Sequence, residues 1–311
     1  MNNHADASPM PKRGSATLGW IAVIVSSLIA CFWALWGSIE NFHEGWYYRS
    51  TLMNLGLMLI QYLSPMLAFV VITVVAIVAP RLGSILYVSI GVLATWFFRG
   101  SSWTVVYLSI VTPLMLLAVL FWFGRPHPRR RALWLALGLP GLTLLIAGIG
   151  PAIHVFRRVD DGDRGARLVT GNQVALVWAP AGPGWPNRGV SWDEAYRRSR
   201  YLKADGLTLA DSPQDIWRLP TVEEAVRSQA LHGRNCGGSW NTTESKALYL
   251  LCTPDKETPL WDPYSRVIYW WTATEAPNGK VYRISYNGQV WTAPKTASWG
   301  YLGFRAVKQA P

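Results

Sequence analysis

Charge is scarce in this chain, and scarcest where it would be needed to keep a protein in water. Only 15% of the 311 residues are Asp, Glu, Lys or Arg, and residues 1–156 hold just nine basic and three acidic side chains. Apolar residues make up 50% of the chain, which excludes a disordered, acidic or collagenous protein. Cysteine is also rare, at three, and histidine at five. No Ser/His/Asp order in a nucleophile elbow and no phosphate-cradling glycine loop is present. The net charge of +11 comes without a basic cluster on one predicted face or a recognised binding motif, so no nucleic-acid partner is expected.

What is present in the first half is long uncharged sequence. Between successive charged residues lie five windows, from Arg13 to Glu40, Arg49 to Arg81, Arg81 to Arg99, Arg99 to Arg125, and Arg131 to Arg157. A membrane-crossing helix needs about 20 mostly apolar residues, which predicts spans near 17–38, 55–79, 83–98, 103–124 and 132–154. Five such windows in succession would leave a water-soluble bundle without polar surface. The third is short and its link at 99–102 is only a tight turn, so four or five spans stay open. Residues 1–16 are then a cytoplasmic tail, 17–156 an all-α transmembrane bundle, 157–167 a linker and 168–311 a second domain.

Cytoplasmic loops carry the excess of Lys and Arg. With the N-terminus inside, Lys12, Arg13, Arg81, Arg125, Arg129, Arg130 and Arg131 face inward, and Arg49, Arg99, Arg157 and Arg158 outward. Seven against four places the C-terminal domain outside a bacterial inner membrane, with the lipid bilayer as a partner. Leu28 to Cys31 matches a lipobox, yet the apolar run continues through Phe32 and Trp33, which favours an uncleaved anchor and leaves lipidation of Cys31 open. An exported domain sits in an oxidising compartment, where Cys236 and Cys252 are disulfide candidates, two buried thiols being the alternative. The windows hold no ionisable side chain of the kind that marks an ion path. In the stretch at 39–49, Glu40, His43 and Glu44 share a helical face and form a weak metal candidate; the preferred reading is an interfacial helix end with Trp46, Tyr47 and Tyr48 in the aromatic belt.

The second half alternates strand and helix signals. Val174 to Trp178 belongs to an apolar strand, and a Pro/Gly-rich loop follows at 179–189. Ser191 with Glu194, and Thr221 with Glu224, read as capping boxes opening helices that run to about residues 204 and 232. Residues 267–275, 280–286 and 289–294 read as strands joined at Asn278-Gly279 and Asn287-Gly288, with a last strand at 300–308. Arg218 is placed to pair with an acidic group or the loop backbone near the second helix entry.

Four ordered motifs carry a resemblance: VSWDEA at 190–195, WRLPTVEEA at 217–225, GGSW at 237–240 and GFRAVK at 303–308. Residues 168–311 resemble the superfamily of formylglycine-generating enzyme, or sulfatase-modifying factor, and are closest to its uncharacterised bacterial exported domains. The resemblance implies an α+β fold like a C-type lectin, with two helices and a small antiparallel sheet. Its fold-keeping positions fall here on Ser191, Trp192, Glu194, Trp217, Arg218, Leu219, Pro220, Thr221, Glu224, Gly237, Gly238, Trp240, Gly303, Phe304 and Arg305. The family's oxidase uses a close cysteine pair after the GGS(W/Y) turn to bind copper, whereas Asn241-Thr-Thr-Glu-Ser follows Trp240 here and the two cysteines flank that segment. The departure favours a non-catalytic, lectin-like extracytoplasmic domain without cofactor, binding an unidentified envelope ligand or protein through loops at Trp240, Trp261 and Trp299. Two alternatives stay open: a metal- or thiol-dependent oxidase, and a membrane assembly factor that acts through its spans.

Overall fold

The computed structural model describes residues 14–99, 103–180, 189–256 and 262–311. The tail before residue 14, the link at 100–102, most of the 179–189 loop and Trp261 lie outside that description. The chain forms two compact units, Met1–His43 with Leu55–Ala152, and Glu44–Asn54 with Ile153–Pro311. The second unit is therefore discontinuous in sequence. Segment 44–54, expected as part of the membrane bundle, belongs with it.

Among the described residues, seven α-helices follow one another through the first part of the chain: α1 (Ala16–His43), α2 (Thr51–Leu57), α3 (Ser64–Val78), α4 (Pro80–Phe97), α5 (Trp103–Val106), α6 (Thr112–Phe123) and α7 (Arg129–Phe156). Among the described residues, four helical stretches are long and apolar enough to cross a membrane: α1, α4, Thr104–Phe123 and α7. A fifth arises if Thr51–Tyr62 and Ser64–Val78, bent by 66° at their junction, count as one span. The bend lies where Pro65, lacking an amide hydrogen, enters α3 after a π-helical turn at Met58–Tyr62. A second π-helical turn, Tyr107–Val111, likewise precedes Pro113 and joins α5 to α6.

Packing in the first unit suits an apolar solvent. Its interior is made by small and apolar side chains such as Ala22, Val23, Ala76, Leu117 and Phe121, while Ile60, Phe97, Trp134 and Ile146 point outward. A water-soluble bundle would not present so much contiguous apolar surface. Several hydroxyls are satisfied within their own helices: Ser38 donates to the Ala34 carbonyl, Thr73 to Phe69, Ser84 to Pro80 and Thr143 to Leu139. Gly83 is required by close approach, since a Cβ there would lie 2.3 Å from the Ala76 backbone across the α3–α4 corner.

The second unit is a set of small sheets with two helices. Strands β1 (Arg167–Gly171) and β2 (Val174–Trp178) form a hairpin, extended by β11 (Val307–Gln309) in the order β1-β2-β11. After α8 (Trp192–Tyr201) and α9 (Val222–Arg227) come two short hairpins, β3 (Ala230–Leu231) with β4 (Arg234–Asn235), and β5 (Gly238–Asn241) with β6 (Lys246–Tyr249). The largest sheet runs β10-β7-β8-β9, from β7 (Tyr269–Glu275), β8 (Lys280–Ser285), β9 (Val290–Pro294) and β10 (Leu302–Gly303). Gly279 and Gly288, at φ 69° and 78°, make the turns on either side of β8. The buried core is aromatic: Trp178, Trp270 and Ile284 pack with Val222 and Val226 of α9, and Trp192 of α8 packs with Trp271 and Phe304.

Three expectations need correction. The closing segment 300–308 is not one strand: Leu302-Gly303 runs parallel to β7, and Val307 to Gln309 pairs antiparallel with β2. Phe304, Arg305 and Ala306 cross between the sheets fully buried, which a half-buried strand pattern does not describe. The second helix stops at Arg227 instead of near His232, because the chain turns at once into the β3–β4 hairpin through His232 and Gly233, both at positive φ. The first helix stops at Tyr201, where Leu202 turns extended and bridges to Leu209.

Candidate functional site

The motif residues are tied into the fold. Thr221 and Glu224 close a reciprocal capping box, the Thr221 hydroxyl accepting from the Glu224 amide and the Glu224 carboxylate from the Thr221 amide. Arg218 grips the same carboxylate at 2.6 and 2.7 Å. Burial works to raise the Glu224 carboxyl, but the Arg218 bonds and the Thr221 amide outweigh it and hold the group below the usual glutamate range. At α8 only half a box forms: the Ser191 hydroxyl accepts from the Glu194 amide, while the Glu194 carboxylate turns to Arg197 and Arg198. Trp217 donates its indole N–H to the Lys203 carbonyl, Trp192 to that of Thr272, Leu219 is buried, and the Pro220 carbonyl accepts from Ala273.

Gly237 takes φ 65°, and a Cβ on Gly238 would lie 2.2 Å from the Val226 carbonyl at the end of α9, so the GGSW turn needs both glycines. Gly303 pairs with Trp270, and Phe304 fills the core beneath. Arg305 is 1% exposed and donates to the carbonyls of Ala179 and Gly165, clamping the end of β2 and the entry linker. Cys236 and Cys252 are joined in a disulfide with Cα atoms 4.7 Å apart; the remaining cysteine is Cys31, in α1.

The three tryptophans proposed as a binding face have different surroundings. Trp240 is partly buried and packs edge-on against Tyr282. Trp261 is outside the described residues. Trp299 is 43% exposed and tilts against Tyr301, which itself meets Tyr269 edge-on. Arg283 lies within this aromatic set, its guanidinium 4.0 Å from the Tyr269 ring centre and 5.3 Å from that of Trp299. Burial lowers the Arg283 pKa, and its Nε and Nη1 are buried without a hydrogen-bond partner among the described residues.

The metal candidates Glu40, His43 and Glu44 come together at the end of α1, their ligand atoms within 4.8 Å of one another. Glu40 and His43 stand 3.6 Å apart in the last turn of α1, whereas Glu44 opens the second unit, where its charge acts on Lys256, Arg283 and Tyr301. The segment after Glu44 is not a free interfacial end. Tyr47 receives the Arg266 guanidinium at 5.3 Å, and Arg49 lies over the Tyr264 ring at 4.5 Å, so two reciprocal cation–π pairs clip 44–54 onto its own unit.

Sequence reasoning missed a buried charge cluster beside this clip. Arg158, expected in a solvated linker, has a side chain 4% exposed; its Nε donates to Asp255 Oδ2 at 3.0 Å, an oxygen that His154 Nε2 also reaches at 3.0 Å. Next to it Lys256 is fully buried, donates to the Ser265 carbonyl and faces the Tyr286 ring. Burial, reinforced by the Arg158 charge, lowers the Lys256 pKa to about 7. Arg158 and Asp255 are nearly a hundred residues apart, so local spacing holds no signal of the pair. The linker carboxylates are paired as well: Asp160 binds Arg164 at 2.7 Å and Asp161 binds Arg167 at 2.6 Å. Comparison with protein-family models, with curated proteins and with solved structures finds no match for this chain.

Proposed function

We propose that this chain is a multi-pass membrane protein that displays a non-catalytic, lectin-like binding domain on the extracytoplasmic side. The observation that carries the reading is the Cys236–Cys252 disulfide. It belongs in an oxidising compartment. It also occupies the two thiols that a copper-binding oxidase of the resembled superfamily would need as thiolates. The apolar helices and the inner excess of Lys and Arg support an N-terminus inside and a C-terminal domain outside. Trp299 with Arg283 offers the kind of surface such a domain uses, an exposed ring for stacking beside a cation. The partners of this reading are the lipid bilayer and an extracytoplasmic ligand or protein.

The test is alkylation of the full chain, taken from membranes and denatured without reductant, followed by intact mass and copper analysis. One modified cysteine before reduction and three after, without copper, is the expected result. Three modified cysteines before reduction with stoichiometric copper would replace this reading by the oxidase.

A further inference from the structure

The clip and the buried cluster border a common cleft of about 190 Å³, wholly within the second unit. Its charged lining residues are Arg49, Arg158 and Asp160. Two cations against one anion leave the cleft lining with a cationic balance. Arg158 carries the stronger signal. Its Nε is used by Asp255, but Nη1 and Nη2 are both buried and have no hydrogen-bond partner among the described residues. A guanidinium offers five N–H donors in a planar fork, and leaving donors buried and unmade costs free energy. Proteins mostly avoid such orphans, and each exception calls for a reason, an unseen water or ion among them.

We propose that this cleft is a phosphate-binding site, in which Arg158 supplies a buried charge and unpaired donors at the cleft wall and Arg49, on the exposed side, supplies the second charge. Arginine is suited to the role because its fork matches phosphate oxygens in pairs. Tyr48 and Tyr264 border the same cleft, with the Arg49 guanidinium over the Tyr264 ring. Val155 and Phe156 from the last turn of α7, and Thr51 from the first turn of α2, also line it. These are the ends of apolar helices, the level at which a bilayer presents its headgroups. A phospholipid headgroup is thus one source of the phosphate and free inorganic phosphate the other. The inference does not rest on the lectin-like reading, since it needs neither the disulfide nor the Trp299 face.

The experiment uses the delipidated full chain in an uncharged detergent at fixed ionic strength. Inorganic phosphate is titrated while thermal unfolding is followed, and native mass spectrometry counts bound phosphatidylglycerol against diacylglycerol, which lacks the phosphate. Wild-type protein is expected to bind at least one phosphate probe saturably, and each of Arg49→Gln and Arg158→Lys to weaken that binding by about tenfold or more. Arg49 is exposed, so its variant reports on binding even if a change at the buried Arg158 disturbs folding. Binding of the lipid but not of inorganic phosphate assigns the site to a headgroup, and the reverse assigns it to the free ion. Absence of saturable binding by either probe, or equal binding by wild type and Arg49→Gln, overturns the proposal.

Discussion

At the scale of single residues, Lys256 is the position where burial and charge conflict most openly. Its folded pKa, about 7, lies below its ordinary value of 10.5. Between those values the unfolded state binds a proton that the folded state does not, so stability rises with pH across that window, and below about pH 7 the full cost of burying the charge is present. Lys256→Met should therefore stabilise the protein at neutral pH by roughly 1–3 kcal/mol. Its advantage should shrink as the pH is raised towards the ordinary lysine range. Thermal unfolding of both proteins at neutral and alkaline pH measures this, and a constant difference would mean that Lys256 does not titrate in that window. Glu224 works in the other direction: its carboxyl is held low, so its contribution is present above the ordinary glutamate range and is lost as the pH falls through its folded pKa. Thr221→Ala should remove the hydroxyl half of the capping box and cost about 1 kcal/mol in a chemical denaturation experiment. Thr221 and Glu224 were legible because capping is local; Arg158 and Lys256 were not, since their partners arrive from distant segments.

At the scale of elements, the motifs mark places where backbones meet. Gly238 lets β5 pass against the last turn of α9, and Gly238→Ala should cost about 1–3 kcal/mol by overpacking, read as a lowered denaturant midpoint. The disulfide closes a separation of 16 residues around the β5–β6 hairpin. Replacing Cys236 and Cys252 together by serine should lower stability by about 3 kcal/mol in an unfolding experiment on the full chain, and no loss would show that the bond constrains little of the unfolded state. Strands β7, β8 and β9 could be anticipated because β-branched and aromatic runs flanked by Asn-Gly signal a hairpin from neighbouring residues alone. The division of the closing segment between β10 and β11 could not, because it depends on where Arg305 finds the Ala179 carbonyl, more than a hundred residues away.

At the scale of the whole molecule, the apolar windows were readable because a span is a property of one continuous stretch. The kink between α2 and α3 was less so, and it decides the count: four spans return the chain to its starting side and five do not. With five spans, a C-terminal fusion to a phosphatase that folds only outside the cytoplasm should be active; an inactive fusion would favour four. What no window could show is that residues 44–54 fold with a unit whose remaining residues begin at Ile153. That discontinuity has a cost in time during synthesis. Tyr47 leaves the ribosome more than two hundred residues before Arg266, its partner, which at about 5–20 residues per second is a delay on the order of 10–40 s. Throughout that interval an aromatic segment must wait without its later partners. The nascent chain therefore passes through a stage in which membrane insertion is far advanced while the second unit consists of its first piece alone.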